Sequence, residues 1–384
     1  MIFRCGFLAL AVAVPASPQQ QPSSASGPSP LSTPSITGPL QAASPITFDA
    51  GPFGKLALDG VVSGMGLVQT HPLQGNSTGD AALSDGLVFV QKAEVSWQFY
   101  VQAGAYNILS LGTPFTSTGK QVDELFGPVP VAWLKLAPGK NTSLQIGALP
   151  TLMGAEYTFD FENMNVERGL LWNQENAINR GIQLNQTIGR LSGSFSWNDG
   201  YYSNRYSWLS GELTYTQGPH SLEFVGMGNL GRTKFQTPAT PIQNNSVMYT
   251  LQYTYSKASW IVQPYYQHSN LPRDLAVAVV KSTSTEAAAL LVSHTFSHGF
   301  STAGRIETIS SSGSATGGAL NLLYGPGSSA WSATVTPTYQ KQRFFVRGDA
   351  SVVHAISITP GDAFGRNGSD ATQARGVIEV GFLF

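Results

Sequence analysis

Charge is what this chain has least of: Asp, Glu, Lys and Arg make up 11% of its 384 residues, against about 25% in soluble globular proteins. Something other than a charged coat must keep it dispersed. Cysteine is almost missing too, because the one thiol, Cys5, lies in a segment expected to be cut off. A mature chain would then have no disulfide and no cysteine metal site. Long apolar runs are also lacking. Hydrophobic residues reach 42%, but Ser, Thr, Gln, Asn and 41 glycines break them up, and no stretch of about 18 apolar residues remains to cross a bilayer as a helix. The net charge of −1 leaves no basic surface for nucleic acid.

What is present is glycine, threonine, tyrosine and phenylalanine, a composition that suits a β-protein with lipid on one face and polar groups on the other. Residues 1–16 read as an export signal, with Arg4 as the charged start, Gly6 to Val14 as a short apolar stretch and Val14-Pro15-Ala16 as the cleavage site. Cys5 precedes that stretch, which does not fit a lipid anchor. Residues 17–47 are rich in Pro, Ser and Gln, carry no charge and show no periodicity, so they are expected to be a disordered periplasmic linker. Residues 48–384 then form one domain, whose size suits a barrel that grows by adding strands.

Alternation of apolar and polar residues decides the fold, since side chains on a strand point to opposite faces in turn. Ala93, Val95, Trp97, Phe99, Val101 and Ala103 share one face, and Val247, Tyr249, Leu251, Tyr253 and Tyr255 repeat the pattern. Charged residues occupy the middle of the polar face in several strands: Glu212, Glu223, Arg305, Glu307, Arg347, Asp349, Arg375 and Glu379. In a water-washed lumen they cost little, and they are the expected pore wall. Strands of about 10 to 12 residues match a tilted bilayer crossing, whereas soluble strands average five or six.

Sixteen such segments run from 54–67 and 87–97 to 343–354 and 373–384. Tight connections such as Gln217-Gly218-Pro219-His220 and Ser297-His298-Gly299 then all fall on one side and the long loops on the other. The expectation is an all-β, transmembrane, antiparallel up-and-down barrel of about 16 strands in the outer membrane, with both termini periplasmic. Phe382 and Phe384 share a face with Val380 and Ile378, and a strand closed by a terminal Phe resembles the assembly signal of outer-membrane barrels. Two features resist. No turn-forming residue separates Trp97 from Phe99, and Pro264 and Pro337 sit inside strands, where each should mark a bulge or a wide pair. Trp97 and Trp260 at one end, with Trp197, Trp208 and Trp331 at the other, suggest two aromatic girdles.

The connection from 150 to 177, the third long loop, is the most chemically loaded. Glu156, Asp160, Glu162, Glu167 and Glu175 crowd with one base, Arg168, among Tyr157, Phe159, Phe161 and Trp172. So apolar a loop is expected to fold back into the barrel. Glu156, Asp160, Glu162, Glu167 and Arg168 would then form the loop side of a pore constriction, facing Arg305, Arg347 and Arg375 across a narrow passage. The competing reading leaves these acids solvated on an external surface.

Ile146-Gly147-Ala148-Leu149-Pro150-Thr151, Gly154-Ala155-Glu156, Glu167-Arg168-Gly169-Leu170-Leu171-Trp172, Gly181 and Trp197-Asn198-Asp199-Gly200-Tyr201 resemble the OmpL-like β-barrel porin family, over most of residues 50–384. Where that family often has Lys after the Ile-Gly pair, this chain has Ala148. The resemblance implies a general porin: a water-filled channel for passive diffusion of small polar solutes, not an enzyme. Such a barrel would meet outer-membrane lipid and lipopolysaccharide, depend on the barrel-assembly machinery, need no cofactor or metal, and be compatible with a homo-oligomer. Two rivals remain, an outer-membrane hydrolase and a plugged structural or adhesive barrel. The six histidines are scattered and none sits in a hydrolase motif, and single-channel conductance separates a pore from a plug.

Overall fold

In the computed structural model, residues 28–34, 36, 38–42 and 44–384 are described; the export signal read at 1–16 and the start of the linker lie outside the described residues. The alternating segments form β1 (Ile46–Asp49), β2 (Lys55–Gln69), β3 (Gly79–Lys92), β4 (Trp97–Tyr106), β5 (Val131–Leu136), β6 (Thr142–Pro150), β7 (Ile178–Ile188), β8 (Leu191–Asn198) and β9 (Trp208–Gln217). They continue as β10 (His220–Asn229), β11 (Val247–Lys257), β12 (Trp260–Leu271), β13 (Thr283–Thr295), β14 (Phe300–Ser311), β15 (Ser329–Lys341), β16 (Phe344–Ile356) and β17 (Thr372–Leu383). A short helix, α1 (Thr118–Glu124), lies between β4 and β5.

From β2 onward each strand pairs antiparallel with its neighbours in sequence, and β17 returns to pair with β2, closing a barrel of sixteen of the 17 strands. The ladder at the seam runs from Arg375 opposite Gln69 to Leu383 opposite Val61. It is extended by Phe384, which exchanges both backbone hydrogen bonds with Gly60 at 2.8 and 3.0 Å. A Cβ at Gly60 would stand 2.6 Å from the Phe384 ring, so the last residue needs a glycine beneath it. Beyond that point β2 has no β17 to pair with, and β1 takes up the open edge, Ile46 opposite Leu58 and Asp49 opposite Lys55.

Short connections (93–96, 137–141, 189–190, 218–219, 258–259, 296–299, 342–343) gather at one end and long ones at the other. The two-residue turns use positive φ, as hairpin geometry requires: Gly189 at 62°, Gly218 at 58°, Ala258 at 54° and Gln342 at 54°. The second strand of the ring is where sequence periodicity misleads. It spans Gly79–Lys92 and not 87–97, because the apolar alternation of Ala93 and Val95 continues straight through a turn. Val95 takes φ 66° there, a strained choice for a β-branched residue. Gln98 donates to the Val95 carbonyl at 2.9 Å, and the Leu31 N–H donates to Ala93 at 3.1 Å. Side-chain and tertiary hydrogen bonds thus make a turn that local sequence does not signal.

The prolines do not make bulges. Pairing of β11 with β12 skips the positions around Pro264, and that of β15 with β16 skips those around Pro337, each resuming in the same register. The register shift that does occur lies between β2 and β3, at Ser63/Gly64.

The two faces invert the arrangement of a soluble protein. Ile306, Val335, Ile378, Val380 and Phe382 are exposed on the outside, while Arg305, Glu307, Arg347, Asp349, Arg375 and Glu379 are buried on the inside. Trp197, Trp260 and Trp331 lie on the outer face. Trp208 is a correction: it is wholly buried inside, its Nε1 donating to the Asn244 carbonyl at 2.9 Å and its ring edge-on to Tyr201. Val346 alternates with the buried Phe345 and Arg347 and faces out. Val346→Arg is expected to cost about 2–4 kcal/mol at the bilayer midplane, less near an interface. The check is the urea midpoint of the barrel folded in vesicles; an unchanged midpoint would reverse the face assignment in β16.

Candidate functional site

The loop between β6 and β7 is built on its own side chains before it meets the wall. Asn163 donates to the carbonyls of Tyr157 (2.8 Å) and Phe159 (2.9 Å) and accepts from the Tyr157 N–H (2.7 Å). That staple turns Phe159 and Phe161 toward Tyr106 and Phe89, with ring centroids 5.5 and 5.6 Å apart. Arg168, fully buried, is held by the carbonyls of Tyr157, Thr158 and Leu109. Backbone bonds from Leu111 to Arg168 (2.9 Å) and from Arg168 to Leu109 (3.0 Å) lock the loop to the connection that carries α1. The sequence of that second loop carries no pattern that points to this role. Its Gln121 accepts from the Ile108 N–H at 2.6 Å.

In the ring of sixteen, β14 and β15 stand opposite β6 and β7, with β16 and β17 beside them, yet the loop's charged residues meet side chains of β14, β16 and β17. Arg305 pairs with Glu156 and with Glu307 (3.2 Å), and donates to the Glu167 carbonyl at 2.8 Å. Arg375 pairs with Glu167 at 3.2 Å and reaches the Ser110 carbonyl at 2.8 Å. Arg347 donates to the carbonyls of Asp160 (2.9 Å) and Asn163 (2.7 Å), with Glu379 at 3.6 Å. The wall acids act on the loop's backbone: Asp349 accepts from the Glu167 N–H at 2.7 Å, and Glu307 from the Leu170 N–H at 3.1 Å. At the loop's far end Glu175 accepts from Tyr265 Oη and Gln267 Nε2 of β12, both at 2.6 Å.

The contacts correct one expectation. Glu156 and Glu167 do not face Arg305 and Arg375 across a gap; they touch them, because opposite charges shielded from water close up unless something holds them apart. The interface is also unbalanced. Asp85, Glu156, Asp160, Glu167, Glu175, Glu307, Asp349 and Glu379 are buried in it against Arg168, Arg305, Arg347 and Arg375. Among the described residues, Asp85, Asp160 and Glu379 form the one carboxylate group spaced to hold a metal ion. Asp85 was not singled out from sequence.

Glu212 and Glu223 lie elsewhere. With Gln102, Gln145, Gln183, Gln252 and Gln263 they line a cavity of about 440 Å³ between the inner wall of β4 to β12 and loop residues Thr151 to Glu162. Glu156 and Glu162 complete its acids, and among the described residues no Lys, Arg or His lines it. Burial pushes the half-buried Glu162 carboxyl up to about 7, with Arg168 pulling the other way.

Part of the stretch expected to be a linker also belongs to the site. The Ser29 carbonyl accepts from Gln98 Nε2 (2.9 Å) and Lys135 Nζ (3.1 Å), and Gln91 donates to the Ser32 carbonyl at 2.8 Å. Ile36 and Leu40 are buried with Phe89, Phe161, Phe345 and Leu383. A Cβ on Gly38 would stand 2.6 Å from the Phe161 carbonyl oxygen. The only hint in the sequence is the spacing of Leu31, Ile36 and Leu40 in an otherwise polar segment.

The geometry has counterparts among solved structures. The outer membrane channel DcaP of Acinetobacter baumannii superposes with a TM-score of 0.58 at 10% identity, over 88% of this chain and 99% of that one. OmpT of Vibrio cholerae gives 0.55 at 11% identity, over 89% and 100%. OmpF of Salmonella typhi, in complex with daunomycin, gives 0.54 at 12% identity, over 88% and 100%. At such identities the likeness is one of fold. No curated protein sequence matches this one significantly. The model of the family described as beta-barrel porin-2, OmpL-like, matches residues 55–384, which spans the whole of the closed barrel just described. The chain therefore belongs to this family of OmpL-like outer-membrane β-barrel porins.

Proposed function

We propose that the barrel conducts small polar solutes by passive diffusion, that its passage runs between the 151–177 loop and the inner wall of β4 to β12, and that it favours cations. One observation carries this reading: the charges are sorted. The arginines of β14 to β17 are taken up by loop acids, Glu156 among them, and by carbonyls, while the remaining cavity is lined by Glu162, Glu212 and Glu223 with no base among the described residues that line it. Between low-dielectric walls such acids raise the local concentration of cations and repel anions. The ladder of glutamines beside them offers hydrogen bonds to any polar solute without fixing its charge.

In this reading the chain is exported by residues 1–16, and the tight-turn end and both termini face the periplasm. Phe382 and Phe384 guide assembly, and the barrel acts as a channel without catalysis, with assembly as a homo-oligomer compatible with it. Residues 28–42 serve as a second narrowing at the tight-turn end, where Ser29 is tied to β4 and β5. Those same contacts also fit a plugged, non-conducting barrel, and conductance separates the two.

Planar-bilayer recordings test the proposal. The wild type is expected to conduct, and removal of residues 28–42 to raise single-channel conductance; no conductance in either would favour the plug. In a salt gradient Glu212→Gln with Glu223→Gln is expected to move the reversal potential toward anions, and an unchanged potential would place the passage elsewhere. Glu162 is neutral below its pKa of about 7 and charged above it. Cation preference should therefore rise between roughly pH 6 and pH 8, and Glu162→Gln should flatten that part of the rise.

The buried pairs carry an expectation of their own. Arg305→Gln leaves Glu156 and Glu307 without their base, a loss of about 3–5 kcal/mol for a buried pair broken on one side. Amide hydrogen exchange of residues 156–170 should quicken, and unchanged exchange would show that Arg305 does not hold the loop.

A further inference from the structure

We propose that Asp85 of β3, Asp160 of the 151–177 loop and Glu379 of β17 bind one calcium ion, which clamps the loop to the barrel wall beside its seam. One carboxylate oxygen from each residue lies within 4.8 Å of the other two. Calcium–oxygen bonds of about 2.3–2.6 Å allow two ligands of one ion to stand up to about 5 Å apart. Hard oxygen donors without nitrogen or sulfur select calcium or magnesium over softer metals.

A second observation points to a ligand independently of that spacing. Asp85 is wholly buried, and neither of its carboxylate oxygens has a hydrogen-bond donor. Asp160 Oδ1 is equally without one, and Glu379 is only loosely engaged, with the guanidinium of Arg347 at 3.6 Å. Buried carboxylates in native proteins are paired, hydrogen-bonded or bound to metal, and the surrounding interface already has more carboxylates than guanidiniums.

Asp85 is also aimed. Leu83 and Val88 both point outward, which two residues five apart cannot do on a regular strand. The register shift opposite Ser63/Gly64 supplies the extra residue, Ser84, so that Asp85 turns inward with Leu87 and Phe89. Without the bulge Asp85 would share the lipid face with Leu83. Bulges that re-aim a side chain cluster beside functional sites, and here one directs a carboxylate at two others. The three ligands come from a loop and from the strands that flank β2 on either side, so one ion ties the loop to both edges of the closing strand pair.

The test uses the full barrel refolded in detergent free of lipopolysaccharide, which would itself hold calcium, and stripped with chelator. Titration with calcium chloride is expected to show one ion per chain, saturating at roughly 10⁻⁴–10⁻³ M as in extracellular calcium modules, and to raise the melting temperature. Asp85→Asn and Asp160→Asn should each weaken binding at least tenfold, and Glu286→Gln on the outer face should bind as wild type does. Should Asp85→Asn fail to fold, Asp160→Asn, which alters only the loop, still decides the matter. Absence of saturable binding to the folded wild type would overturn the proposal. Equal binding by wild type and Asp160→Asn would overturn it too, and the three carboxyls would then share protons instead.

Discussion

A backbone N–H or C=O in hydrocarbon has no water to turn to, and this requirement governs the rest of the molecule. A sheet meets it only by leaving no edge, which is why β17 must find β2 and why even the stretch of β2 beyond the end of β17 is covered by β1. Closure in turn sends every second residue inward, and the lipid face claims the apolar ones. Polar and charged side chains are then inside by necessity, before any question of what they do.

An enclosed lumen changes what those charges are worth. Arg305, Arg347 and Arg375 would be ordinary solvated bases in a wide, empty pore; covered by the 151–177 loop they are buried and require partners. The loop supplies carboxylates and its own carbonyls, and the wall answers with Asp349 and Glu307 on the loop's N–H groups. Loop and wall thus satisfy much of each other's demand, with Asp85 left without a donor. The opposite wall, with its glutamines and Glu212 and Glu223, lines the cavity that the loop leaves open.

Much of this was legible in the sequence, and for one reason: bilayer contact forces a period-two pattern strong enough to place most strand ends within a few residues. Where another pattern overlaid it, reading failed. Ala93 and Val95 prolong the alternation of β4 backward through a turn that Gln98 and Leu31 hold from a distance. Trp208 has the position of a girdle residue but the inward phase of Ser210 and Glu212. The loop's acids and the wall's bases could be named from sequence, yet their contact depends on the loop's reach, which no local pattern encodes. Asp85 was hidden because its direction depends on a bulge, and Ile36 and Leu40 because two apolar residues in a Pro/Ser stretch have no period at all.

The seam has a consequence for how the chain comes together. β17 is the last strand in the sequence, and its inward side chains Arg375 and Glu379 meet the loop's Glu167 and the Arg347 beneath the loop. Once the ring is closed the loop can reach the interior only through the end from which it springs, because a closed ring offers it no sideways entry. Pairing of the last strand therefore also brings the last base of that network to the loop. Until β17 is in place Glu167 lacks its base, so the burial of the loop's charges is complete only when the ring is.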